Sequence, residues 1–262
     1  MRDGFYLADE LVVSATILEK AVDGMDAVRD GEYDTGVPPT EHPGYDPGKL
    51  CKINNAHRSD SGLRALVTDG ALARMVASIT GSEMLQVWAS QLLIKPPGSS
   101  SGGHIGWHQD RQYWGYWQGE EGLFTMWIAL SEVAENSGPM QFVRGSHRWG
   151  FLNEGDFFSD DNEMLKDKIQ SASGEAWDEV GALLPPGGLS IHNCLVYHGS
   201  GPNTSNSSRC SVAVHLRNEK ATPVPGKDNY YVSHLDNPLY CPLIYAAEKA
   251  SEKGSVQYSC SK

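Results

Sequence analysis

The 262-residue chain is poor in cations, has few cysteines and lacks any long apolar run. Its five cysteines, Cys51, Cys194, Cys210, Cys241 and Cys260, include no Cys-x-x-Cys pair. That scatter excludes a zinc ribbon, and the odd number fits reduced thiols better than a disulfide framework. Lys and Arg number 21 against 33 Asp and Glu, giving a formal charge of -12. Nucleic acid and anionic membrane surfaces both require a basic footprint, so neither is expected as a partner; a small-molecule substrate is. Residues 1–10 hold no apolar stretch behind their charges, and no apolar run approaches the length of a membrane span. A soluble, cytoplasmic protein is expected. The sequons at Asn203 and Asn206 then read as turn composition, and no internal repeat is visible.

What the chain does contain is Gly106-Trp107-His108-Gln109-Asp110-Arg111, an imidazole and a carboxylate two residues apart between aromatic neighbours. On extended backbone His108 and Asp110 share a face and Gln109 points away. This is half of a 2-His-1-carboxylate facial triad, the ligand set suited to non-haem Fe(II) and O2. A lone His-x-Asp is common by chance and more often makes a surface hydrogen bond. The second histidine must come from elsewhere, and the best candidate is His198 in Ile191-His-Asn-Cys-Leu-Val-Tyr-His-Gly-Ser200, followed by Arg209.

Residues 9–29 carry apolar side chains at Leu11, Ala15, Leu18, Val22 and Met25, which predicts an amphipathic helix packed outside a sheet. Residues 31–57, rich in Gly, Pro, Asp and Asn, read as an irregular loop. Two short helices follow between Ser59 and Gly81, the second with Leu72, Met75, Val76 and Ile79 on one face and Gly81 as its C-cap. Beyond Gly81 the period becomes that of strands: 84–95, 123–131, 140–143, 188–192 and 209–217, between Gly/Pro/Asn turns. The expected fold is therefore mainly β with flanking helices, a jelly roll in a single domain over 1–262. A helical layer would occupy about 1–80 and the jelly-roll core about 84–217. Residues 148–187 interrupt the strands with an acidic, partly helical insertion around 162–170, either a lid or a solvated excursion.

Together these segments resemble the phytanoyl-CoA dioxygenase (PhyH) family of Fe(II)- and 2-oxoglutarate-dependent oxygenases. The resemblance rests on Trp107-His-Gln-Asp110, Met126-Trp-Ile-Ala-Leu130, Asn136-Ser-Gly-Pro-Met140, Arg144-Gly-Ser-His147 and His198-Gly-Ser-Gly-Pro-Asn203 through Arg209. It implies a double-stranded β-helix with His108, Asp110 and His198 as iron ligands. It also implies that Arg209, helped by Ser200, pairs with the distal carboxylate of 2-oxoglutarate, that Trp127 lines that pocket, and that O2 is the oxidant. Family members often have Gly-Asp where this chain has Gly187-Gly188, and Pro-Gly-Ser-His where it has Arg144-Gly-Ser-His147. Neither departure touches a ligand. Members that halogenate lack the carboxylate ligand that Asp110 provides here, which favours hydroxylation over halogenation and leaves desaturation and epoxidation as alternatives.

The residues themselves are consistent with that reading. Arg209 offers a planar fork that a lysine cannot reproduce. If it points inward, Ser211, Ala213, His215 and Arg217 share its face, while Cys210, Val212, Val214 and Leu216 pack outward. His215 and Arg217 would then lie about 20 and 26 Å along the strand, too far for the same cosubstrate contact, with Arg217 a rim charge. Gln91 and Lys95 share a face of their strand, and Lys95 either reaches the cosubstrate or snorkels at an edge. His104, His192, Tyr113, Trp114 and Trp117 are candidates for substrate contact, each with a plain structural alternative as a hydrogen-bonded histidine or core aromatic. His147 reads as a structural loop residue. Two other classes compete with an oxygenase: a cupin- or lectin-like binding module with an inert metal, and a metal-dependent hydrolase. The acidic chain shows no basic cluster for an acyl-CoA, so the expected substrate is a small or medium-sized metabolite.

Overall fold

Alternation is the organising pattern, because on three adjacent strands one set of side chains is apolar and the other is mostly polar or aromatic. The computed structural model describes residues 1–98, 103–227 and 229–248. In chain order the elements are β1 (Phe5–Ala8), α1 (Ala15–Arg29), β2 (Cys51–Asn54), α2 (Ser61–Val67), α3 (Gly70–Thr80), β3 (Met84–Lys95), β4 (Ile105–His108), β5 (Trp117–Gln118), β6 (Leu123–Ala129), β7 (Met140–Val143), α4 (Asn162–Ser173), β8 (Glu179–Gly181), β9 (Leu189–Asn193), β10 (His198–Ser200), β11 (Arg209–Arg217), β12 (Thr222–Pro223) and β13 (Leu243–Ala246). A major sheet runs β1-β9-β6-β11-β3-β13 with β2 also on β3, and a minor sheet runs β4-β10-β7-β8. Both sheets are antiparallel throughout. Phe5, Leu93, Trp127 and Ala213 of the major sheet pack with Met140 and Phe142 of the minor one, so the sheets enclose an interior in the double-stranded β-helix, or jelly-roll, arrangement.

Register fixes what faces inward. Arg209, Ser211, Ala213 and His215 pair with Lys95, Leu93, Gln91 and Ala89 on β3. On the other side Ser211, Ala213 and His215 pair with Ala129, Trp127 and Thr125, and Trp127 and Thr125 pair in turn with Ser190 and His192. The outward set, Cys210, Val212, Val214 and Leu216, is buried beneath α1, α2 and α3 together with Leu92, Ile94, Met126, Ile128 and Ile191. Burying such aliphatic side chains contributes about 1.5–3 kcal/mol each, so the helical layer holds this face in place.

Several sequence expectations are corrected. The first helix starts at Ala15, capped by the Ser14 hydroxyl, because the residues before it form β1 and pair with β9. Its buried face is Ala21, Gly24, Met25 and Val28, whereas Leu11 and Ala15 are exposed. The stretch read as an irregular loop contains β2, which pairs with the outer edge of β3. The end of the insertion is not an excursion: β8 joins β7 in the minor sheet, and α4 covers that sheet by packing Leu165 and Ile169 on Trp107, Val143 and Tyr197. The sheet also extends past Arg217, since β13 pairs with the start of β3. Gly81 does cap α3 in the left-handed conformation, φ 66°. Half of the Pro96–Gly103 loop, residues 99–102, lies outside the described residues, as does Cys260. The other four cysteines are free and buried. Among the described residues no helix is long and apolar enough to cross a membrane.

Helices α1 and α2 meet where a Cβ on Gly62 would collide with the Lys20 carbonyl. In an exposed helix Gly→Ala would stabilise by about 1 kcal/mol. Here the backbone collision reverses the sign, and Gly62→Ala should lower stability by about 1–3 kcal/mol in urea denaturation. An unchanged or raised midpoint would mean that the two helices separate easily.

Candidate metal centre and adjoining cavities

Strands β4 and β10 lie side by side in the minor sheet with His108 opposite His198. Each imidazole is fixed by the backbone just before it: His108 Nδ1 lies 2.8 Å from the Gly106 carbonyl oxygen and His198 Nδ1 3.0 Å from that of Val196. A carbonyl only accepts, so both Nδ1 atoms carry the proton and both Nε2 atoms present a lone pair. Asp110, on the turn after β4, puts Oδ1 at 3.7 Å from each Nε2. Ligand atoms of the three residues all lie within 4.8 Å of one another, the one cluster of this kind among the described residues. Two neutral nitrogens and one carboxylate oxygen, converging in a buried pocket, fit a divalent iron and leave further positions open.

The other carboxylate oxygen of Asp110 is held away from this focus. Thr125 Oγ1 donates to Oδ2 at 2.8 Å and itself lies 3.0 Å from His215 Nδ1. His192 Nε2 approaches Oδ2 at 3.3 Å without hydrogen-bonding geometry, and neither of its ring nitrogens has a partner. Burial works against ionising Asp110, but the three surrounding imidazoles, with His198 foremost, hold its carboxyl well below the usual range. Burial also pushes His198 well below an ordinary histidine and brings His215 down to about 4. At neutral pH Asp110 is therefore an anionic carboxylate with the neutral imidazoles of His198 and His215 beside it.

A narrow inner cavity of about 60 Å³ leads from the triad between the sheets, past Trp127, Gln91 and Ser200, to Arg209. Arg209 is 2 % exposed. One Nη donates to the Gly138 carbonyl, its plane sits 5.3 Å from the Trp127 ring centroid, and Nε has no partner. Burial draws its guanidinium down to about 10. Lys95 stands one strand away and does not line this cavity. Fully buried rather than snorkelling, it donates to Ser200 Oγ and the Gly201 carbonyl, both at 2.6 Å. Burial and the neighbouring Arg209 bring it down to about 6.

A wider outer cavity of about 320 Å³ opens on the other side of Asp110. Tyr113 and Trp114 line it, as expected of a substrate wall. Trp117 does not: it is fully buried, packed against Trp88 at 5.8 Å. His104 lines a separate surface cleft with Leu50 and Phe158, joined to the others only through Lys52 and Phe157. His192 lines the inner cavity, behind Asp110. Arg217 is no free rim charge, because Gln86 and the Ala221 carbonyl hold it over Trp117. Both Thr125 and Phe157 escaped the sequence reading. Thr125 could have been found by stepping two residues back from Trp127. Phe157 could not, since it reaches His108, 5.1 Å between ring centroids, from the insertion. It is seated there by bonds from its amide to the Tyr113 hydroxyl and from Gly106 to its carbonyl.

A jelly roll with an open His-Asp-His centre and an inner arginine defines a class of metal-dependent protein, and comparison with known proteins identifies the family. The model of the phytanoyl-CoA dioxygenase (PhyH) family matches residues 2–211. The chain belongs to that family. It is 28 % identical over 188 residues to a probable alpha-ketoglutarate-dependent hypophosphite dioxygenase of Stutzerimonas stutzeri, covering 69 % of this chain and 62 % of that one. It is 27 % identical over 184 residues to phytanoyl-CoA dioxygenase domain-containing protein 1 of Mus musculus, covering 66 % and 59 %. The chain thus spans about three fifths of these relatives. Among solved structures it shares its fold with the non-heme alpha ketoglutarate dependent carbocyclase SnoK from nogalamycin biosynthesis, TM-score 0.69 at 22 % identity over 89 % of this chain and 87 % of that one. EctD from S. alaskensis, crystallised with 2-oxoglutarate and 5-hydroxyectoine, gives TM-score 0.63 at 19 % identity over 88 % and 79 %.

Two outcomes follow from this geometry. His108→Ala, Asp110→Ala and His198→Ala should each abolish tight Fe(II) or Co(II) binding in a calorimetric titration while the thermal transition persists; full metal affinity in any one removes that residue from the ligand set. Lys95 is neutral in the folded state between pH about 6 and its ordinary 10.5, whereas the unfolded chain binds a proton there. Its contribution to stability should therefore rise with pH across that window, by at most about 1.4 kcal/mol per pH unit, and Lys95→Met should remove that slope. Parallel slopes for both proteins from pH 7 to 9 would show that Lys95 stays charged.

Proposed function

We propose that the chain is an Fe(II)- and 2-oxoglutarate-dependent dioxygenase that hydroxylates an unactivated C–H bond of a small or medium-sized metabolite, with release of succinate and CO2. The observation behind this reading is that one narrow cavity joins the open His108–Asp110–His198 set to a buried, under-partnered Arg209. Burying a guanidinium costs several kcal/mol unless an anion completes it, so a module holding only an inert metal, or a hydrolase needing only bound water, has no use for it.

When bound, iron with 2-oxoglutarate and O2 supplies the oxidising chemistry. The protein's part is positioning. His108 and His198 would hold the metal through Nε2, and Asp110 through Oδ1, because Thr125 occupies Oδ2. Arg209 would receive the far carboxylate of 2-oxoglutarate, with Ser200 oriented toward it by Lys95, and Trp127 and Gln91 would wall the chain between. Phe157 and the surrounding sheets shield the centre from bulk water. The presence of Asp110 leaves no ligand position for a halide, which supports hydroxylation over halogen transfer. Hypophosphite, named for one relative, is an anion of a few atoms, and the roomy aromatic outer cavity fits a larger organic substrate better.

The test is succinate formation that requires both Fe(II) and 2-oxoglutarate. Arg209→Ala should keep metal affinity yet weaken the apparent affinity for 2-oxoglutarate by about 2–5 kcal/mol, as for other buried charge pairs. Succinate release indifferent to either cofactor would end the oxygenase reading, and an unchanged cosubstrate requirement would shift the carboxylate to another cation.

A further inference from the structure

The outer cavity has a chemical character of its own. Trp88, Tyr113, Trp114, Tyr116, Phe157 and Tyr231 supply six of its thirteen lining residues, in two groups of packed rings, with Tyr113 and Phe157 forming the smaller one. Trp88 meets Trp114, Tyr116 and Tyr231 edge-on at 4.8, 5.9 and 5.6 Å and stacks on His215 at 5.2 Å. Tyr116 and Tyr231 stack at 5.7 Å. The Trp88 group forms an aromatic panel on one side of the cavity and not a set of ring faces converging on one point, as a site for an alkylammonium group would need.

Polar groups gather on the side formed by β2. Lys52 and Asn54, two residues apart, share the face that continues the inner surface of β3, opposite Leu93 and Gln91. Lys52 is the one cation on the cavity wall, its ammonium lies 5.3 Å from the Phe157 ring centroid, and among the described residues it makes no ion pair. Asp110 is the one carboxylate on the wall, and it faces the metal centre. Asn54 is 6 % exposed. Its Nδ2 donates to Glu41 at 2.6 Å, and because a carboxylate only accepts, this bond fixes which way the amide is turned. That leaves Oδ1 buried with no partner, an acceptor that a ligand N–H or O–H would satisfy. Glu41 is taken up by this bond and does not line the cavity.

We propose that the outer cavity is the primary-substrate site and takes an organic anion with a flat, largely apolar body, its anionic group on Lys52 and its body along the aromatic panel. The proposal rests on the oxygenase reading for the identity of the reacting end, which abuts Asp110. It is independent of it for the anchoring end. Lys52 lies two strand spacings from the Arg209–His215 row, about 10 Å, and shares the cavity wall with Asp110, so the substrate has to reach from the metal centre to Lys52. Apolar burial along the panel supplies affinity, and the cation at the far end selects orientation and rejects amines.

The probes are 4-phenylbutanoate, its primary amide and the corresponding amine, titrated anaerobically with Fe(II) and saturating 2-oxoglutarate against the tryptophan fluorescence of the panel. The acid should bind about tenfold or more tightly than the amide, and the amine least, as for a charge-assisted hydrogen bond. Lys52→Met should erase the preference and Lys52→Arg should retain it. Equal binding of acid and amide by the native protein, or a preference that survives in Lys52→Met, overturns the proposal. Uncoupled succinate formation, which consumes O2, is followed in parallel samples of the same proteins opened to air. Its absence from native protein and both variants would sink the oxygenase reading, while the acid-over-amide preference would still report on Lys52 alone.

Discussion

Everything in this molecule depends on the two-residue period of β3, β6 and β11, whose two faces are both buried but against different surroundings. The outward face lies under three helices and is apolar apart from Ser90, whose hydroxyl is paired with His57. The inward face holds Lys95, Arg209, Thr125 and His215, with His192 beside them on β9, and no apolar layer could accommodate these groups. A slip of one residue would exchange the two sets, forcing charged groups under the helices. The helical layer is therefore not decoration. It is what makes the register of the interior, and with it the spacing between Arg209 and the triad, unambiguous.

The interior so produced is electrically unusual for an acidic chain. Arg209 and Lys95 sit near one another away from solvent, each drawn toward its neutral form by burial, and Asp110 sits beside His198 and His215, which burial keeps uncharged. Such a constellation is costly without guests and suited to a divalent cation at one end and a dicarboxylate at the other. The backbone shares in the arrangement. The Gly106 and Val196 carbonyls set the histidine tautomers before any metal arrives, so little reorganisation is required on binding. Thr125 does the equivalent for the carboxylate.

The insertion after His147 has two roles that its sequence does not separate. From α4 onward it completes the minor sheet and its covering, which is a matter of packing. Its first part delivers Phe157 to the point where the inner cavity, the outer cavity and the surface cleft meet. Because Gly155 takes φ 123° against the Trp107 carbonyl, where no Cβ could fit, this approach is fixed by backbone contact. Phe157 thereby stands with Gln91, Asp110 and His215 between the narrow inner cavity and the roomier outer one.

The sequence alone determined the β-rich fold, the five strands β3, β6, β7, β9 and β11, the His-x-Asp pair with its distant histidine, and the inward and outward faces of β11. These signals are local: hydrophobic period, turn residues and motif spacing all act over a few residues. Tertiary structure alone decided the rest. It made β2 a strand within a Gly- and Pro-rich stretch by giving it the free edge of β3, and it made β8 part of the minor sheet. It also withdrew Trp117 into the core, set Lys95 behind Ser200 rather than at the cavity wall, and separated His104 from the centre. Each of these depends on a partner far away in the chain, and neither propensity nor alternation encodes which edge is vacant or which side chain arrives first at a buried position.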